Sequence, residues 1–399
     1  MPFNFHFYSV LLLIGFLQGI VYAILLISRG FREDKLADKL LASLLLLVSL
    51  HIAQYMLGFA GWYNNVDGVA LGGYSIFMFY FPFHNVLWIG PLFYFYFRSL
   101  TNEDFTFNKK DLWHFLPGMI YFSIILFTFI VDIGYTKWMA KAELPYHFGT
   151  QGAWSDYRQS VIDTIFNHLN TISFIIYLVL TFRIYKQYRQ YINNNYSDTE
   201  AIQFNWIRNI LYLVIAGFIF EFFVNIASNF IVFEGYKGKW NVYFGYAVVL
   251  YAVSILGYNR IGKPAQKLDF IPHKTPPTDK AVTEIPELNR YKKRLLSLMN
   301  EEQLYLQTDL TLKETALELK TNSSIVSKVV NIGFKQNFND FINSFRVEAV
   351  KKKMKSPDTK HLTLTAIAYE CGFNSKATFN RAFKKFTGMS PREFMQTKK

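Results

Sequence analysis

Long apolar runs separated by short polar, basic stretches fill the first two thirds of the chain. Seven runs lie near residues 8–28, 40–60, 74–97, 112–131, 165–185, 206–233 and 240–258. About 20 apolar residues in a helix cross the hydrocarbon core of a bilayer, so the pattern predicts seven membrane spans. Pro117 and Gly118 interrupt the fourth run. A membrane helix tolerates such a break where neighbours satisfy the freed backbone groups. The start lacks a basic n-region and an A-x-A-like site, so it is read as a first span and not as a cleaved signal peptide.

From residue 262 to 286 the chain turns polar and carries Pro264, Pro272, Pro276, Pro277 and Pro286 without periodicity. This is a linker. A flexible chain of that length has a root-mean-square span of about 30 Å, somewhat more with Pro.

After the linker, apolar residues recur at helical spacing in short amphipathic segments. A helix is predicted over residues 288–300, basic at Arg290, Lys292, Lys293 and Arg294. Thr311 with Glu314 forms a capping box that opens a helix through Leu319. A polar turn, Thr321-Asn322-Ser323, leads into a second helix over 324–331, which makes a helix-turn-helix. A long helix follows over 338–349. A second helix-turn-helix closes the chain: Leu364, Ile367 and Ala368 carry the apolar face of its first helix, and Gly372 ends that helix. Asn374 or Ser375 caps the next one. There Phe379, Phe383 and Phe386 make the apolar stripe, while Lys376, Asn380, Arg381, Lys384 and Lys385 lie off it.

Composition agrees with a chain of two halves. The 399 residues are 51% hydrophobic and 19% aromatic, high for a soluble protein and low for a pure membrane protein. The formal net charge is +13, and the residues from Glu287 onward hold 21 Lys and Arg against 11 Asp and Glu. Most of the positive excess therefore sits in the last 113 residues, as expected of a nucleic-acid module. The single cysteine, Cys371, excludes an internal disulfide and falls at the end of a scaffold helix as small core filler.

The distribution of Lys and Arg sets an expected orientation. Loops after the first, third, fifth and seventh runs are basic, with Arg29, Arg32, Lys35 and Lys39 in the first of them. The alternate loops are poorer. The N-terminus is thus expected outside and the C-terminal domain in the cytoplasm. The long outer loop after the fourth run is rich in aromatics, including Trp138 and Trp154.

Some polar residues fall inside the runs: His51 and Gln54 in the second, His84 and Asn85 in the third, Glu221 and Asn225 in the sixth. An ionisable group at that depth is costly and faces the bundle interior. Glu221, His84 and His51 are candidate signal-sensing residues. Two roles fit Glu221, a functional site or an interhelical hydrogen bond that only orients helices. No ligand spacing supports a metal at the histidines.

The stretch from Leu364 to Phe394 resembles the second helix-turn-helix of the AraC/XylS family of bacterial transcription regulators. The residues that carry the resemblance are Ile367-Ala368, Gly372-Phe373, Ser375, Phe379, Arg381, Phe383-Lys384-Lys385, Gly388 and Ser390-Pro391. Ala377 replaces the usual small polar residue. The likeness extends from about Tyr291 to Phe394 and covers none of the membrane half. It implies a central helix holding two helix-turn-helix motifs, and double-stranded promoter DNA and RNA polymerase as partners. The family commonly has Gly where this chain has Lys335; here Gly333 lies two residues earlier.

Carried over residue by residue, the family's reading positions are Ser324, Ser327 and Lys328 in the first motif and Lys376, Asn380 and Arg381 in the second. Arg and Lys pair with guanine edges and Asn with adenine edges. Ser375, Lys384 and Lys385 are better placed for phosphates, which position but do not specify.

The expected fold is all-α: a seven-helix transmembrane bundle (1–261), a linker (262–286) and an AraC-type DNA-binding domain (287–399). The expected function is a regulator in the bacterial inner membrane, not an enzyme, without cofactor, that senses an unknown ligand or stimulus and acts on promoter DNA, with a homodimer among its states. The alternative is a transporter or intramembrane enzyme with an autoregulatory DNA-binding domain. No H-E-x-x-H, G-x-S-x-G or P-loop supports an enzyme, and no clear internal repeat supports a transporter.

Overall fold

A computed structural model describes residues 7–62, 76, 79–81, 86–102, 105–146, 149–200, 202, 205–227, 240–259, 285–359 and 361–396. Among these residues the chain is helical and has no strand, only two isolated bridges, Tyr146–Gln151 and Tyr196–Thr311. It divides into two compact units. The first comprises Met1–Ile184 and Asn205–Asp269, the second Tyr185–Phe204 and Phe270–Lys399.

In the first unit the helices are α1 (Phe7–Arg32), α2 (Leu36–Trp62), α3 (Ile89–Thr101), α4 (Leu116–Phe129), α5 (Ala153–Tyr157), α6 (Asp163–Asn195, whose last turns belong to the second unit), α7 (Asn205–Ala227) and α8 (Trp240–Tyr258). Six helical stretches among the described residues are long and apolar enough to cross a membrane. The expected third span, 74–97, lies partly outside the described residues, and α3 covers its second half. Large apolar side chains such as Ile14, Ile24 and Phe223 are exposed.

Packing inside the unit relies on close backbone approach. A Cβ added at Gly15 of α1 would lie 2.7 Å from the Ala247 Cβ of α8. Small residues let helix backbones approach this closely. Arg29 at the end of α1 pairs with the buried Asp38 at the start of α2, at 2.6 Å.

The second unit adds α9 (Ile285–Asn300), α10 (Leu312–Glu318), α11 (Ser323–Lys328), α12 (Phe338–Lys353), α13 (Leu364–Glu370), α14 (Lys376–Thr387) and α15 (Pro391–Gln396). Its two apolar cores share α12. Phe338, Phe341 and Ile342 enter the first core with Leu295, Leu298 and Met299 of α9 and Val326 of α11. Val347 and Val350 enter the second core with Ile367, Phe373, Phe379 and Phe383. The basic helix α9 therefore packs on the module through its apolar face. One helix with two apolar stretches fixes the separation of two small cores.

Candidate nucleic-acid interface

The second motif is built from local rules that the sequence states openly. Thr363 caps α13 by accepting from the Ala366 amide at 3.1 Å. The helix ends at Cys371, and Gly372 has φ +88°. That conformation favours glycine, and a Cβ there would also meet the Tyr305 carbonyl at 2.6 Å. Phe373 then turns back, its amide donating to Ala368 at 3.1 Å. Ser375 caps α14, its hydroxyl accepting from the Thr378 amide at 3.1 Å.

On α14 the inner face is Thr378, Phe379, Ala382 and Phe383, all buried. Burying the two phenyl rings contributes on the order of 2 kcal/mol each. The outer face presents Lys376, Ala377, Asn380, Arg381 and Lys384 to solvent. Lys385 is also exposed but is held at 2.7 Å by both carboxylate oxygens of Asp340 in α12.

In the first motif the Thr311–Glu314 capping box is complete: Glu314 donates its amide to the Thr311 hydroxyl at 3.1 Å and accepts from the Thr311 amide at 2.7 Å. Asn322 caps α11 by accepting from the Ile325 amide at 2.9 Å. The helix spans six residues before wider turns over Val329–Gly333 replace it. Ser324, Ser327 and Lys328 are half-buried, and the Ser327 hydroxyl accepts from Asn331 Nδ2 at 3.1 Å. The following turn keeps its left-handed residue at Lys335, with φ +55° and no glycine. Gly333 serves differently: its carbonyl accepts from Lys292 Nζ of α9 at 2.7 Å.

Two features of this unit escaped the sequence patterns. Arg346, in the middle of α12, is 1% exposed. Its guanidinium donates to the main-chain carbonyls of Tyr305, Gln307 and Thr308 at 2.8, 2.7 and 3.2 Å. Burial lowers its pKa to about 10, while the Asp198 and Asp309 carboxylates favour the charged form. It pins the segment between α9 and α10 onto the central helix. A Lys or Arg in a basic domain normally reads as surface, and no periodic signal marks this one.

The second feature is residues 196–200, which follow α6 and lie on the helix-turn-helix unit. Ser197 donates its amide to the Leu310 carbonyl at 3.0 Å. Its own carbonyl accepts from Asn339 Nδ2 at 2.6 Å, and its hydroxyl from Arg346 at 3.3 Å. Asn374 donates to Asp198 at 3.1 Å. Glu200 accepts from the Ser375 hydroxyl and, at 3.0 Å, from the Thr378 hydroxyl.

Of the candidate sensing residues in the first unit, Glu221 and His51 come together. The Tyr246 hydroxyl donates to Glu221 at 2.8 Å, and the His51 ring centroid lies 5.6 Å from that of Tyr246. His84 lies outside the described residues.

Comparison with known proteins finds a family match within the second unit. The family described as "Helix-turn-helix domain" matches residues 316–397. Uncharacterized HTH-type transcriptional regulators of Staphylococcus aureus strains COL, N315 and MRSA252 are each 33% identical to the chain over 92 residues. The matched stretch is 23% of this chain and 12% of the length of each relative. No solved structure matches.

Proposed function

We propose that this chain, with its C-terminal helix-turn-helix domain, is a sequence-specific transcription regulator of the AraC type held in the bacterial inner membrane by its N-terminal helices. The observation that carries the DNA-binding half is α14. Two buried phenylalanines fix the helix, and every residue along its outer face except Ala377 is a long donor: Lys376, Asn380, Arg381 and Lys384. Such a helix fits a major groove, with its N-terminal residues toward base edges.

Lys376, Asn380 and Arg381 take base edges, and Lys384 and Lys385 take phosphates. Lys385 must then exchange or share Asp340. Ser324, Ser327 and Lys328 of the first motif have shorter reach and contribute less discrimination. The basic loops that place the C-terminus in the cytoplasm support the membrane arrangement, since that compartment holds the DNA.

Sensing belongs to the first unit in this reading. The cluster of Glu221, Tyr246, Tyr243 and His51 supports it: an acid and an imidazole brought together by three helices in membrane-length segments. Genome-wide footprinting of promoter DNA with and without candidate stimuli tests the whole proposal. Discrete occupied sites that change with a stimulus are expected. Occupancy absent from every promoter would refute it.

A further inference from the structure

Glu200 sits where a nucleic acid's own charge belongs. It reaches Ser375, the capping residue of the second recognition helix, and Thr378 in that helix's first turn. The N-terminus of a helix favours an anion, because its amides are unpaired and its dipole is positive there. In a helix-turn-helix this end of the recognition helix approaches DNA. The Ser375 hydroxyl has one proton to give. It accepts from the Thr378 amide and donates to Glu200, so it has no second proton for a phosphate oxygen. A carboxylate beside that position also repels the phosphate.

The segment carrying Glu200 has two parts with different jobs. Ser197 is fully buried and is held at four points, by the Leu310 and Thr308 carbonyls, Asn339 and Arg346. Thr199 is 1% exposed. Asp198 and Glu200, between and beyond these anchors, are half-buried. Asp198 accepts from the Glu200 amide at 3.0 Å and from Asn374, and the Glu200 carboxylate accepts from the Ser375 and Thr378 hydroxyls of the second motif. In chain order the segment lies between α6 and α7, two helices within membrane-length stretches.

We propose that residues 196–200 are an autoinhibitory strap, anchored at Ser197, whose Glu200 carboxylate occupies the phosphate seat at the N-terminus of α14 and must leave before DNA takes it. The inference rests on the DNA-binding reading and adds its regulation. A stimulus that moves α6 against α7 shifts the strap and exposes the seat. A binding-competent state that is only partly populated lowers apparent affinity by that fraction.

The test uses the full chain in lipid nanodiscs and a fluorescein-labelled 40-bp duplex of random sequence at low salt. Glu200→Gln keeps size and an acceptor oxygen but removes the charge. Glu302→Gln removes the same charge from an exposed site after α9 and is the control. Glu200→Gln should bind roughly 3- to 10-fold tighter, and Glu302→Gln within about twofold of the parent. In a second arm Asp198→Cys with Asn374→Cys is joined by a short bis-methanethiosulfonate bridge; Cys371 is buried and stays out of the reaction. The bridged form should bind about 10-fold or more weakly, and dithiothreitol should restore binding. If Glu200→Gln binds no tighter than the control, or if bridged and reduced forms bind alike, the strap is static and the proposal fails while DNA binding stands. If no form, reduced included, binds DNA with salt dependence, the DNA-binding reading falls and the strap's role with it.

Discussion

Ser375 caps its own helix and at the same time donates its hydroxyl proton to Glu200, a residue 175 positions earlier in the chain. The N-terminus of the second recognition helix is therefore completed by a segment that lies between two membrane-length helices in sequence. Local rules set the cap, and a distant carboxylate takes its hydroxyl proton.

Arg346 holds the second unit together from inside. Arg346→Met keeps most of the volume but takes the guanidinium away from the carbonyls of Tyr305, Gln307 and Thr308, of which Thr308 keeps the Ser197 hydroxyl as a donor. A hydrogen bond from a charged donor contributes about 1.5–3 kcal/mol, and these acceptors are only part-buried, so the local loss should be about 2 kcal/mol or more. Hydrogen exchange in α12 reads it directly. Unchanged protection of that helix would show that Arg346 is dispensable.

Three turn positions should respond differently. Gly372→Ala combines a left-handed backbone with a Cβ 2.6 Å from a carbonyl oxygen and should cost more than about 2 kcal/mol. Gly388→Ala meets open space, with only φ +78° against it, and should cost about 1 kcal/mol. Lys335→Gly relieves a left-handed residue but loosens the unfolded chain, so its effect should stay within about 1 kcal/mol of zero. Melting temperatures of the three variants check the order, and a Gly372→Ala protein as stable as Gly388→Ala would contradict the close approach.

Cys371 should be chemically silent in the native chain. It is fully buried, and burial pushes its thiol up to about 11. A raised thiol pKa means less thiolate at pH 8, roughly 100-fold less than for the ordinary group, and the thiolate is the nucleophile. Iodoacetamide at pH 8 should label the protein only after denaturation. Labelling of the native chain would mean that α13 opens readily.

Arg381 and Lys384 should separate reading from anchoring. Both are exposed on α14, about one turn apart. Arg381→Ala should cost about 1–3 kcal/mol on the preferred site and relax preference at one base pair. Lys384→Ala should weaken all sequences alike and reduce the salt slope by roughly 1. Binding-site selection on both variants is the measurement; a consensus altered by Lys384→Ala and not by Arg381→Ala would reverse the two roles.

The elements set by local chemistry were legible in the sequence. The capping box at Thr311, the cap at Ser375, the glycine at 372 and the phenylalanine stripe of α14 each follow from near neighbours in the chain. The apolar runs led to an expectation of seven spans, and six helical stretches among the described residues are membrane-length, the expected third span lying partly outside those residues. What stayed hidden depends on distance. Arg346 looks like any basic surface residue until three carbonyls converge on it from some 40 positions away. Residues 196–200 form a short polar loop without periodicity, and their partners lie 111 to 178 positions along the chain. The left-handed Lys335 was obscured because Gly333 offered an apparent substitute two residues earlier, whereas that glycine supplies a carbonyl to Lys292.

The most direct test of DNA binding is its salt dependence. A labelled duplex titrated with the purified full chain between 50 and 200 mM salt should give log K falling linearly with log salt. If about five phosphates are neutralised, the slope should be about −4 to −5. An affinity that does not change across that range would contradict the assignment of the C-terminal unit to DNA.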